Sequence, residues 1–204
     1  KRYGAKTLIV LSSNLSLEEY YRFKKLSTKL NLELNAYDNN IDEKFGDDFL
    51  KKNDKTANRK AVELLEIPHT LSELEASLKD KEFVMLVGRS DFNIINNLNY
   101  KGSIGVLCSQ DFQQKDKLDI VFPIVSHTGR AGSFINCDGF VQFSKCEIKK
   151  DILSAKILDL LANILNDGIA TCEDVWKNGL GDESFLKSID FDSLQTKSQK
   201  IETL

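Results

Sequence analysis

No two of the four cysteines in this chain stand close together. Cys108, Cys137, Cys146 and Cys172 are widely spaced, and no Cys-x-x-Cys occurs. A zinc site or an iron–sulfur cluster draws on at least one close pair. The spacing therefore argues against both and predicts four reduced, mostly buried thiols. Histidine is scarcer still, with only His69 and His127, each followed by Thr. His69 comes straight after Pro68 and reads as a solvated turn residue. No basic block stands out among 28 basic and 31 acidic residues, and the net charge is −3. That balance implies no nucleic-acid partner. The apolar runs are short, so no segment is expected to enter a membrane. No charged-then-apolar leader is present, so secretion is not indicated. The chain opens on Lys1 and reads as a piece of something longer.

Signature motifs are missing as well. There is no G-x-G-x-x-G after the first apolar run, no G-x-x-x-x-G-K-[ST], no G-x-S-x-G and no H-E-x-x-H. Gly129-Arg130-Ala131-Gly132 is only a G-x-x-G. An independent dinucleotide or ATP site is therefore not expected.

What is present is ordinary globular material. Of 204 residues, 41% are hydrophobic and 29% charged. This suffices for one large domain, or one domain with an appendage. The segment KTLIVLSSN has a buried-strand pattern. Ser16 and Glu19 have capping-box spacing, which predicts a helix over SLEEYYRFKKLSTKL. LELNAY then reads as a second strand, completing a β-α-β unit. Residues 38–59 form a long polar connection. Ala61 to Ile67 suggests a turn or two of helix stopped by Pro68. Thr70 and Glu73 repeat the capping-box spacing before TLSELEASLKD. FVMLVG, SIGVLCS and LDIVFP supply three more strands, with QDFQQKD as a short helix or turn between the last two. Such alternation predicts an α/β fold with a mostly parallel, doubly wound sheet.

The pattern then breaks. SFIN and FVQFS flank Cys137-Asp138-Gly139, a hairpin signal with Gly139 at a positive φ. DILSAKILDLLANILND predicts a helix with Leu153, Ile157, Leu160, Leu161, Ile164 and Leu165 on one face, closed by Gly168. Thr171 and Asp174 open another short helix through Trp176. The organisation expected is an α/β domain over 1–150, helices packed on it over 151–189, and a loose polar tail over 190–204.

Ligands of open α/β sheets bind beyond the carboxyl ends of the strands. Those ends are Ser12-Ser13-Asn14, Gly88-Arg89-Ser90, Cys108-Ser109-Gln110 and Ser126-His127-Thr128-Gly129. All are small or polar, as a nucleotide crevice requires. Helix caps and tight turns require the same residues.

The stretch LDIVFPIVSHTGRAGSFINCDGFVQ resembles a segment of the molybdopterin oxidoreductase superfamily. In that family a strand ends in Leu-Pro and is followed by Gly-Thr, Asn, Glu-Gly-Arg and Gln. Here Pro123, Gly132-Ser133, Asn136, Asp138-Gly139 and Gln142 occupy those places. TANRKAVELLEI and FVMLVGRSD are similar to the large iron–sulfur subunit of respiratory complex I, the NADH:quinone oxidoreductase. The resemblance spans most of residues 6–186. It implies a formate dehydrogenase-like fold and a place in a peripheral arm on the cytoplasmic side of the inner membrane. It implies other subunits of a membrane-bound respiratory complex as partners, and iron–sulfur clusters in a preceding part of the parent chain. Cofactor contacts, vestigial at best, would fall on Gly88, Ser90, His127, Gly132, Ser133, Asn136, Asp138 and Gln142.

Departures from the family pattern are specific. Its acidic residue falls at Gly129, its Arg falls at Phe140, and two of its glycines are replaced by Lys60 and Glu66. Arg130 is the nearby cation that could stand in. The expectation is a non-catalytic scaffold with no cofactor or metal in this chain. The alternatives are the cofactor-binding domain of a molybdopterin-dependent oxidoreductase and a stand-alone nucleotide-binding module.

The cysteine spacing yields a direct test. The chain purified without oxygen should be colourless and lack stoichiometric iron by metal analysis. A broad absorbance in the violet, typical of thiolate-bound iron, would count against this reading.

Overall fold

The computed structural model describes residues 4–38, 46, 53–54, 56–88, 98–109, 118–126, 129–146 and 155–202. Five strands form one sheet: β1 (Thr7–Leu11), β2 (Glu33–Asn35), β3 (Phe83–Val87), β4 (Ser103–Cys108) and β5 (Ile120–Pro123). Their order is β2-β1-β3-β4-β5, and every neighbouring pair is parallel. The chain moves outward from β1 to one side and then to the other. That reversal between β1 and β3 is a topological switch point.

Side-chain alternation sends each strand's apolar residues to two faces. On one face Leu8, Val10, Val84 and Leu86 pack with Leu74 and Leu78 of helix α3 (Leu71–Leu78). On the other, Ile9, Leu11 and Val87 join the larger core around helix α1 (Leu17–Leu30). The sheet is thus covered on both faces, as a parallel sheet requires.

Both expected capping boxes form. The Ser16 side chain accepts from the Glu19 N–H, and the Glu19 carboxylate accepts from the Ser16 N–H. Thr70 and Glu73 do the same for α3. A short helix α2 (Arg59–Leu64) ends before Pro68. The far end of α1 closes at Asn31, which adopts the left-handed conformation with φ 56°, as Asn does more readily than most residues.

The hairpin forms as the turn chemistry predicts. Strands β6 (Gly132–Ile135) and β7 (Phe140–Ser144) are antiparallel, and Gly139 has φ +80°. They lie outside the main sheet, and β6 packs on α1 and α2. A third strand, β8 (Gln199–Lys200), pairs with β7. This corrects the expectation of a loose tail over 190–204. The residues from Asp190 wind a helical turn, α6 (Phe191–Leu194), and then supply β8. The Asp190 carboxylate caps that turn by accepting from the Asp192 and Ser193 N–H groups.

The preceding helix also departs from expectation. Helix α4 spans Ile157–Leu165, because Ala155 is committed to a parallel bridge with Ile124. Asn166, at φ 53°, caps it in the left-handed conformation before Gly168 is reached. Its buried face is Ile157, Leu158, Leu161, Ala162 and Leu165, whereas Ile164 is 54% exposed. Leu153 lies outside the described residues, as do most of the polar connection after Asp38 and all of QDFQQKD. Helix α5 (Cys172–Lys177) follows, capped by Thr171 as predicted. Two cysteines, Cys108 and Cys172, are buried, but Cys137 and Cys146 are exposed, so the expected burial of the thiols is only half met. No helix among the described residues is long and apolar enough to cross a membrane.

Gly132 shows how tightly the hairpin meets α1. A β-carbon there would stand 2.3 Å from Ser16 Cβ and 2.9 Å from its Oγ. Ser16 cannot retreat without losing the helix cap. Gly132→Ala should therefore cost about 1–3 kcal/mol, read as a lower urea midpoint at unchanged slope. An unchanged midpoint would show that the hairpin does not bear on the cap.

Candidate functional site

The switch point is where an α/β sheet would hold a ligand, and the connection from β1 to α1 lies there. Gly88 and Gly132 flank this connection, one against Leu15 and the other against Ser16. A β-carbon on Gly88, which has φ +71°, would stand 2.8 Å from Leu15 Cδ2. Leu15 itself is fully buried. The strand ends therefore converge as the topology predicts, but the chain's own side chain occupies the space between them.

Four N–H groups of the connection are spent internally. Ser12 donates to the Val87 carbonyl at 2.9 Å, and Leu15 to the Ser12 carbonyl at 3.3 Å. Asn14 donates to Ser12 Oγ at 3.2 Å, and Ser16 to Glu19 at 2.9 Å. Ser13 Oγ donates to the buried Asp38 carboxylate at 2.6 Å. A phosphate approaching the start of α1 would also meet two carboxylates in the first turn, Glu18 and Glu19. A helix N-terminus binds anions through free N–H groups and its positive end. Here the helix's own acids have taken that place.

Those acids carry a buried polar network. Glu18 is fully buried. It accepts from the Ser133 N–H at 2.9 Å, from Ser133 Oγ at 2.7 Å and from Trp176 Nε1 at 2.9 Å. Glu19 accepts from Arg130 Nη1 at 2.5 Å. Burial pushes the Glu19 carboxyl above its usual range, against the pull of Arg130. One turn later the buried Arg22 holds Asp167 through two bonds of 2.7 and 2.8 Å. Asn58 completes the arrangement. Its N–H donates to the Ser13 carbonyl, its amide nitrogen to the Leu15 carbonyl, and its oxygen accepts from the Ile135 N–H at 2.8 Å.

The expected contact residues can now be placed. Ser133 is buried and belongs to Glu18. Asn136 uses its side-chain oxygen to accept from the Asp138 and Phe140 N–H groups, which shapes the hairpin turn. Asp138 and Gln142 are exposed. Ser90 and His127 lie outside the described residues. The structure thus brings Gly88, Gly132 and Ser133 to one loop, while Asn136, Asp138 and Gln142 serve or flank the hairpin.

At Gly129 and Phe140 the residues present differ from those the resemblance calls for. A β-carbon at Gly129 would stand 2.3 Å from Val125 Cγ1, so the family's acidic side chain has no room. Phe140 stands in place of the family's Arg and pairs with Lys200 of β8. Arg130, the possible substitute, is engaged by Glu19. Among the described residues no cluster of three or more His, Cys, Asp and Glu is placed to hold a metal. No protein-family model matches the chain, and no curated protein matches it significantly.

Sequence reasoning gave Glu19 only its capping role and missed Glu18 and Arg22, because an amphipathic reading assigns charged helix residues to solvent; it missed Asn58, which lies in the polar connection. A signal was available in Glu18-Glu19, since two adjacent acids at the start of the first helix oppose a phosphate there.

The Arg22–Asp167 pair makes stability depend on acid. The Arg22 guanidinium, bonded to Asp167, holds its carboxyl below the usual carboxylate range. A depressed acid contributes stability above its unfolded value of about 3.9, lost as pH falls through the folded value. Glu19, raised, acts in the opposite sense. Asp167→Asn should destabilise the chain at neutral pH and flatten the loss of stability below about pH 4. Urea titrations across pH would show this. A variant with the same acid slope as the parent would remove Asp167 from the account.

Proposed function

We propose that the chain is a non-catalytic α/β scaffold within an electron-transfer subunit of a NADH:quinone oxidoreductase, with no pterin or nucleotide held at its strand ends. The observation that carries the second half is the start of α1. Glu18 and Glu19 stand in the first turn of α1, where an open α/β sheet would bind a pyrophosphate, and the Ser12, Asn14, Leu15 and Ser16 N–H groups serve the chain itself. Binding a doubly charged pyrophosphate there would require breaking that network, and an unpaired buried charge costs several kcal/mol.

The first half rests on the resemblance of the 118–142 segment and on the surface. Ile120, Val121 and Phe122 of edge strand β5 are 41%, 41% and 48% exposed. An apolar edge strand is a hazard for an isolated domain and is normal where another chain covers it. In this reading the domain sits in a peripheral arm on the cytoplasmic side of the inner membrane. Iron–sulfur clusters belong to a preceding part of the parent chain, and other subunits of the complex are the partners.

Two experiments separate the reading from its rivals. Tagged at its native locus, the parent protein should co-purify with an activity that oxidises NADH and reduces a quinone. The purified 204-residue chain should carry no molybdenum or tungsten and give no heat on titration with GDP at high micromolar concentration. A stoichiometric metal, or micromolar GDP binding lost in Asn136→Ala, would establish the enzyme instead. Purification without any redox partner would remove the assignment to the complex.

A further inference from the structure

Helix α5 ends at Asn178, and Gly179 follows it. No other Asn-Gly pair occurs in the chain. The pair has its own chemistry. Glycine carries no side chain to shield its nitrogen, so that nitrogen can attack the carboxamide carbon of a preceding asparagine. Asn178 is exposed to water. The Gly179 N–H has no acceptor among the described residues. Glycine is also required here by the fold. Its φ is +119°, and a β-carbon would stand 2.4 Å from the Tyr21 hydroxyl oxygen.

The native fold holds the pair out of reaction. Asn178 Nδ2 donates to the Asp174 carbonyl at 2.7 Å, and the Asn178 N–H donates to the same oxygen at 2.9 Å. Asn178 has φ −104° and ψ 35°. That ψ places the Gly179 nitrogen nearly anti to the Asn178 β-carbon, turned away from the carboxamide. Both bonds end on Asp174, and Asp174 is itself held by Thr171. The Asp174 N–H donates to Thr171 Oγ1 at 3.1 Å, and that hydroxyl donates to the Asp174 carboxylate at 2.6 Å. The helix has only six residues, and a helix so short depends on contacts of this kind.

We propose that Asn178 is a site of spontaneous deamidation and that fraying of α5 sets its rate. Once Asp174 lets go, the Gly179 nitrogen bonds to Asn178 Cγ and gives up its proton. The Cγ–Nδ2 bond breaks, and ammonia leaves with that proton. Water then opens the succinimide ring at either carbonyl, giving aspartate or isoaspartate. Water is the only other reactant. Either product puts a carboxylate at the C-terminal end of α5, where the helix dipole opposes negative charge. Isoaspartate also lengthens the backbone by a methylene next to Gly179, which lies against Tyr21, and ahead of the fully buried Leu180. The modified end therefore no longer fits its place, and the strain falls on the helix whose Trp176 holds Glu18. This site is independent of the assembly proposed above and stands or falls separately.

The purified chain, incubated at mildly alkaline pH and mapped by mass spectrometry of its peptides, tests this. The new acid should arise at Asn178 before any other asparagine. It should form at least about tenfold more slowly than in urea, because the reaction draws on a locally opened minority. Thr171→Ala should quicken it about fivefold, the order by which a lost helix cap shifts a local equilibrium. Thr70→Ala removes the equivalent cap from α3 and should leave the rate unchanged, which separates fraying of α5 from a general loss of stability. Earlier modification at another asparagine, a folded rate equal to that in urea, indifference to Thr171→Ala, or equal acceleration by the two variants would each overturn the inference.

Discussion

Three charged side chains near the start of α1 are buried, and the rest of the molecule is arranged to satisfy them. Glu18, Glu19 and Arg22 are each no more than 3% exposed. Removing one partner from a buried charge costs about 3–5 kcal/mol. Their partners lie far away in sequence: Ser133 and Trp176 for Glu18, Arg130 for Glu19, Asp167 for Arg22. One helix of the sheet layer thereby fixes the hairpin, the loop after α4 and helix α5 in place. Lysines farther along α1 extend the same logic. Lys24 donates to the Leu65 carbonyl at 2.9 Å, and Lys29 donates to the carbonyl of Leu165, the last residue of α4. A cation at a helix C-terminus is favourably placed.

This arrangement has a chemical consequence. An open parallel sheet offers ligands a helix N-terminus at its switch point, with free N–H groups and a partial positive charge. Here that terminus is filled from within by carboxylates, by Leu15 against Gly88, and by the Asn58 amide. The place where an open parallel sheet offers an anion site is here an internal joint. Residues that resemble a cofactor cradle, Gly132 and Ser133 above all, are held there by packing and by Glu18. Small polar residues are favoured at both kinds of place, because close backbone approach is what each demands.

The C-terminal third supplies more than a cover. Strand β8 completes the hairpin sheet, and the Phe191 ring rests on both Phe143 and Trp176. Trp176 in turn places its indole N–H on Glu18. Hairpin, tail and first helix thus share one set of contacts. The covalent order of the chain hides this, since the tail adds its strand some sixty residues after the strand it joins.

The sequence by itself determined what depends on neighbours along the chain. Both capping boxes, the positive φ at Gly139, the strand periods and the Thr171 cap follow from residues within four positions of one another. These are local hydrogen bonds and steric limits, which need no partner from elsewhere. Tertiary structure alone decided which polar residues are buried. Glu18, Glu19 and Arg22 look like solvent-facing helix residues until segments 111–158 positions away meet them. Ile164 was misassigned for the complementary reason, because a 3.6-residue period gives the width of an apolar stripe but not which edge of it a neighbour covers. The polar tail looked loose because few of its residues are apolar, yet Leu194 and Ile201 are buried in the core and carry α6 and β8 with them. Local chemistry set the elements, and the pairing of distant charges set where they meet and what space remained for a ligand.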